Sequence, residues 1–159
     1  MRFLLATILL LPGLALSAAT AKDIEGRWVV DSEATWAMMQ ENPQMQAQFG
    51  SMPPEQQAHI KSMVMATMAK LIWNLSAGRA EITEPDGTVR TSTWTVTKNE
   101  GDILSIEAQD AQGSARAGTL AVAGDRLIAR GFSAAKKPAG QPDTAIVMKR
   151  ADSAAPAAR

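Results

Sequence analysis

The fold of this chain is decided by a short stretch near its start, Ile24–Val30, which reads IEGRWVV. Every second residue is apolar or Gly, and Glu25 and Arg27 stand between them, so this period of two predicts a half-buried strand. Gly26 lets another backbone approach closely, and the Trp28 ring is large enough to plug one end of a core. We therefore interpret the rest of the chain as a barrel that closes on this strand.

Composition limits the classes of function. The chain has 159 residues, with 16 basic and 16 acidic side chains, which is enough for one domain with a real core. The balanced charge gives no basis for binding nucleic acid or an anionic membrane surface. There is no Cys and one His, His59, which excludes a disulfide framework and any site that needs two imidazoles. His59 lies among Gln residues on a predicted helix and is interpreted as a solvated side chain. We predict no metal site and no cofactor.

The first residues have the pattern of an export signal. Met1-Arg2 gives a positive start, Phe3–Leu16 is an apolar run, and Ala19–Ala21 supplies small residues at the spacing that a signal peptidase accepts. This predicts a signal peptide at 1–21, cleavage before Lys22, and a periplasmic or secreted protein. The apolar run is too short for a comfortable membrane span, so we expect no stable span after processing; a retained anchor is the alternative.

A helical insert is expected at about 31–70. Asp31 or Ser32 is suited to cap a first helix, which stops near Pro43, and Pro53-Pro54 is typical of the first turn of another. Apolar residues then recur at helical spacing, from Ile60 to about residue 71.

The chain beyond the insert has the pattern of a meander. About six or seven short strands are expected, joined by tight turns, of which Glu84–Thr88 is the strongest. We predict a mainly β domain at 22–150, either a single antiparallel β-barrel or a strongly curved meander sheet, with a helical insert after the first strand. A longer loop is expected at 133–144 and a disordered tail at 151–159.

Gly26-Arg27-Trp28 resembles the Gly-x-Trp signature of lipocalins and the wider calycin group. In that group a basic residue near the end of the barrel packs over the Trp, so the resemblance implies that Lys149 or Arg150 does so here. The helical insert is similar to that of fatty-acid-binding proteins. The chain as a whole resembles small secreted bacterial proteins that carry a lipocalin-like domain. The expected structural signature is Gly26, Trp28 and Arg150.

Seven of the nine Met fall within the predicted helical insert. They are Met38, Met39, Met45, Met52, Met63, Met65 and Met68. Met side chains are flexible and suit surfaces that adapt to several apolar shapes, so one interpretation is a helical lid over the barrel mouth. The predicted ligand contacts are then Met63, Met68, Trp36 and Trp73. The alternatives are plain core contacts from helix to barrel, or thioether binding of Cu(I).

Basic side chains on several strands are candidates to pair with a ligand carboxylate. They are Lys98, Arg116, Arg126 and Arg130, and apolar neighbours on the same strand face favour Arg116 and Arg130. No Ser lies in a nucleophile elbow and no glycine-rich phosphate loop is present, so we do not expect an enzyme, although a hydrolase or isomerase stays open. The predicted function is an exported, non-catalytic binding protein for a small apolar or amphipathic molecule. The alternative is a structural or protein-interaction module with a filled barrel and no small-molecule ligand.

Overall fold

The computed structural model describes residues 18–132 and 145–151. Within these ranges the helices and strands, in chain order, are α1 (Ala21–Ile24), β1 (Gly26–Val30), α2 (Ser32–Gln40), α3 (Pro43–Gly50), α4 (Pro54–Met68), β2 (Ile72–Ser76), β3 (Arg79–Thr83), β4 (Val89–Glu100), β5 (Ile103–Asp110), β6 (Ala115–Ala123), β7 (Arg126–Arg130) and β8 (Ile146–Arg150). The predicted loop at 133–144, positions 1–17 of the predicted signal peptide and positions 152–159 of the predicted tail lie outside the described residues.

The described strands form one closed antiparallel barrel. Each strand pairs with its neighbours along the chain, and β8 pairs with β1 to complete the circle. Trp28 on β1 stands opposite Trp73 on β2 and opposite Arg150 on β8. The predicted mainly β barrel with a helical insert after the first strand is confirmed, and seven strands follow that insert.

The turn between β3 and β4 forms where the sequence predicts it. Glu84 donates its N–H to the Thr88 carbonyl at 2.8 Å, and Gly87 donates to the Glu84 carbonyl at 2.9 Å. The Asp86 carboxylate accepts the Thr88 N–H at 2.9 Å, and this hydrogen bond lowers the pKa of Asp86. These local contacts fix the hairpin register.

The barrel interior is filled in the half that surrounds Trp28. Inward-facing residues of this half are apolar and at most 7% exposed: Trp28, Leu75, Ala80, Trp94, Leu104, Ile106, Leu120, Leu127 and Met148. Because strands alternate their side chains between the two faces, the residues between them point outward. This half of the barrel is therefore a packed core.

A segment ahead of the first strand closes this end of the barrel. Ala19 is 6% exposed; its N–H donates to the Gly101 carbonyl at 2.9 Å, and the Asn99 side chain donates to its carbonyl at 2.6 Å. Ile24 is fully buried and accepts the Trp28 indole N–H at 2.7 Å. The packed segment thus begins at least as early as Ala19, ahead of Lys22, where the predicted domain begins.

A buried threonine is among the contacts that attach the helical insert to the barrel. Asp31 caps α2 by accepting the Ala34 N–H at 3.1 Å. Thr35 on α2 is fully buried; its hydroxyl donates to the Val147 carbonyl at 3.1 Å and accepts the Val147 N–H at 3.0 Å. None of the residues of α3 and α4 is buried. Of the three helices of the insert, α2 is therefore the one with buried residues, and Thr35 joins it to β8.

Thr35→Val is expected to lower the free energy of unfolding by about 1–3 kcal/mol, since the new side chain keeps the shape but leaves the buried Val147 N–H without its acceptor, while the Val147 carbonyl keeps the hydrogen bond from the Asp31 N–H. Urea denaturation of both proteins measures the difference. Thr67→Val is the matched control, because Thr67 is exposed and bonds within its own helix at 2.9 Å; its change should stay within about 0.5 kcal/mol. Equal losses in the two variants would contradict the anchoring role of Thr35.

Candidate functional site

The closed end of the barrel carries the residues of the Gly-x-Trp motif. The Arg150 guanidinium carbon lies 4.5 Å from the centre of the Trp28 ring, and its nitrogens donate to the Glu25 carbonyl at 2.9 Å and the Asp23 carbonyl at 2.7 Å. Gly26 has φ +129°, and a Cβ there would lie 2.8 Å from the Arg150 guanidinium. Arg150, one of the two basic residues considered, thus packs over the Trp as a cation over a π face.

The opposite end of the barrel holds a cavity of about 910 Å³. Its apolar wall includes residues on five strands or next to their ends: Leu71, Trp73, Ile82, Ala108, Phe132 and Ile146. Eight polar side chains also line it: Glu84, Arg90, Thr91, Ser92, Asp110, Gln112, Ser114 and Arg116. The volume lies within the range of small-molecule sites, and the lining combines an apolar wall with polar and charged side chains.

The cavity reaches about two inward-facing positions into the barrel. On β4, Arg90 and Ser92 line it, whereas the next inward residue, Trp94, belongs to the packed core. On β5 the same boundary falls between Ala108 and Ile106. Two positions on one face of a strand are about 7 Å apart, so the cavity is a shallow cup above a filled floor.

An aromatic pair forms one side of the cup. Trp73 and Phe132 meet edge to face, with ring centres 5.8 Å apart and planes at 89°. The Phe132 ring lies against Gly118, where a Cβ would come within 2.7 Å of a ring carbon. The Trp73 indole N–H is buried and has no hydrogen-bond partner among the described residues, and the same is true of Trp94 in the core below.

The cup carries four charged side chains, of which two form an ion pair and a third is held by backbone N–H groups. Glu84 pairs with Arg90 at 3.3 Å. The Asp110 carboxylate accepts backbone N–H groups of Gln112 and Ser114 at 3.0 and 2.9 Å. Arg116 is partly exposed in the cup and has neither a hydrogen bond nor an ion pair with any described residue. The cup therefore offers a guanidinium whose donors are available to a ligand.

The structure separates the predicted ligand contacts. Trp73 lies on the wall of the cup. Met63 is 55% exposed on α4, Met68 packs against the edge of the core, and Trp36 is buried against Phe49 with ring centres 5.2 Å apart. No described residue of α2, α3 or α4 lines the cup.

The two arginines favoured as carboxylate partners lie on opposite faces of the barrel. Arg116 stands opposite Ala108 on the inner face, whereas Arg130 is exposed and lies 3.9 Å from the Met38 sulfur. Sequence reasoning did not single out Arg90 and Phe132 on the cup. The sequence signal for Arg90 is that it shares one strand face with Ser92 and Trp94, but alternation alone does not tell which face is inside.

Comparison with known proteins gives no family for this chain, so its class rests on the architecture. The chain is a closed eight-stranded antiparallel β-barrel in its described part, an architecture compatible with a lipocalin-like fold, with an open cup at one end. A scan against protein-family models found no match, and a search of the curated proteins found none. Among the helices that the structure describes, none is long and apolar enough to cross a membrane.

Proposed function

We propose that this protein is an exported, lipocalin-like, non-catalytic binding protein for one small apolar or amphipathic molecule. The observation that carries the proposal is the cup of about 910 Å³, with an apolar wall on one part of its lining and Arg116, whose guanidinium has no partner among the described residues, on another. An apolar body would cover Ile82, Ile146 and the aromatic pair, and a polar end would meet Arg116. In this proposal the barrel wall makes the contacts with the ligand, since no described residue of the Met-rich helices lines the cup.

Ligand binding is expected to change the tryptophan emission. The chain has four Trp and no Tyr, so ultraviolet emission reports on Trp28, Trp36, Trp73 and Trp94, and Trp73 is on the cup wall. Titration with anilinonaphthalene sulfonate, a fluorescent apolar probe, should quench that emission saturably at one probe per chain.

Two matched substitutions locate the probe. Ile82→Gln places a polar group on the cup wall that an apolar probe cannot satisfy, and is expected to weaken binding about tenfold. Met63→Gln makes a similar change on the exposed face of α4 and should leave binding unchanged. Absence of saturable binding to the wild-type protein would contradict the proposed function.

The second candidate is a protein-interaction module without a small-molecule ligand. It is favoured by the filled half of the barrel around Trp28. It is also favoured by α3 and α4, which have no buried residue, and by Met63 on α4, which is exposed to solvent. If no probe binds and Met63→Gln alters association with a partner protein, this candidate replaces the first.

A further inference from the structure

We infer that the cup takes a compact, ring-bearing anion rather than a long acyl chain, an inference that rests on the proposed function and specifies its ligand. The shape of the cup, the unpaired guanidinium and the aromatic wall each contribute one step.

The depth of the cup limits the length of its ligand. The wall spans about two inward positions per strand, roughly 7 Å, before the floor begins. That floor is made of side chains that are at most 7% exposed, among them Trp94, Ile106 and Met148. Interiors packed to this degree do not open without a large cost in contacts. An extended acyl chain would therefore leave most of its methylenes in water, whereas a compact body would be covered.

The charge of the ligand follows from Arg116, which has neither a hydrogen bond nor an ion pair in the part of the chain that the structure describes. The lining carries two arginines, Arg90 and Arg116, and two carboxylates, Glu84 and Asp110. Arg90 is paired with Glu84, and Asp110 is engaged by the backbone of its own turn. Neither carboxylate forms an ion pair with Arg116. The planar guanidinium matches a carboxylate or sulfonate through two parallel hydrogen bonds, so an anionic group is the complement of this site.

The aromatic pair favours a ring over a chain. Trp73 and Phe132 stand edge to face on the wall, and Phe132 reaches this place because Gly118 has no side chain. A flat ring gains contact area and offset or edge-on stacking against such a pair, beyond what its buried area alone provides. A flexible chain would also lose more rotamer freedom on binding than a rigid ring does.

Calorimetric titration with three carboxylates tests the inference: naphthalene carboxylate, hexanoate and decanoate. Naphthalene carboxylate should bind one per chain and at least about tenfold tighter than decanoate. Each buried methylene improves affinity about fourfold, so a deep pocket would favour decanoate over hexanoate by about two hundredfold. The shallow cup predicts a preference of less than about tenfold. A preference above a hundredfold would overturn the compact-ligand inference and leave the proposed function standing.

The anion requirement is tested with two arginine variants and the uncharged naphthalene carboxamide. Arg116→Gln should weaken binding of naphthalene carboxylate about tenfold or more, and should abolish its preference over the carboxamide. Arg130→Gln is the matched control on the outer face and should keep both values. Thermal midpoints of both variants should match the wild type, which separates lost recognition from lost folding. Equal binding of carboxylate and carboxamide by the wild type would overturn the anion requirement, and failure of every probe would overturn the proposed function itself.

Discussion

Trp28→Ala is expected to lower the free energy of unfolding by about 3–5 kcal/mol, the largest effect that we expect from a single substitution in this chain. The ring is fully buried, donates to the Ile24 carbonyl at 2.7 Å and lies beneath the Arg150 guanidinium. Its removal leaves a cavity in the packed half of the barrel and a cation without its aromatic partner. Urea denaturation followed by circular dichroism measures the loss.

Arg27→Ala is the control for Trp28. Arg27 neighbours Trp28 on the same strand but is exposed on the outer face, so its change should stay within about 0.5 kcal/mol. An unchanged midpoint in Trp28→Ala would show that β1 does not anchor the fold.

Gly118→Val is expected to cost about 3 kcal/mol of stability and to weaken probe binding in the cup. A Cβ at this position would lie 2.5 Å from the Arg130 carbonyl oxygen and 2.7 Å from the Phe132 ring. The carbonyl belongs to the neighbouring strand and cannot move freely, so overpacking strains β7 and pushes Phe132 away from Trp73. Valine is otherwise better suited to a strand than glycine, so a loss has to come from the close contact.

Ala117→Val provides the matched comparison for Gly118. Ala117 is exposed on the outer face of the same strand, so the same side chain there should be neutral or slightly stabilising. Denaturation midpoints and probe titrations of both variants give the comparison. Unchanged stability together with unchanged binding in Gly118→Val would contradict the packing of the Phe132 ring against Gly118.

Most of the fold is local enough for the sequence to predict it. Period-two alternation and turn residues, such as those at Glu84–Thr88, indicate the strands of the meander and their order. Element ends are less determined by local sequence: β4 runs to Glu100, because the Asn99 side chain bonds to Ala19 and the ladder with β5 continues. Neither α1 nor its packing carries a periodic signal, since the segment is only four residues long.

The site is less predictable because it depends on which strand face closes inward. Arg116 and Arg130 have similar neighbours in sequence, and only the ladder from Ala108 to Arg116 places the first of them inside. The position of the Met-rich helices depends on the contact between Thr35 and Val147, which are 112 residues apart. The amino-acid composition shows that these helices are rich in Met, but it contains no information on where they pack against the barrel.

The closing seam of the barrel has a consequence for the order of folding. Strands β2 to β8 pair with sequence neighbours, whereas the pairing of β1 with β8 joins residues from the two ends of the described chain. Closing so long a loop is entropically costly before its contacts form, so the hairpins of the meander should assemble first and the seam last. Thr35 and Arg150 lie at this seam. Contacts made after the transition state govern the unfolding rate. We therefore expect substitutions at these two residues to raise the unfolding rate and to leave the folding rate nearly unchanged.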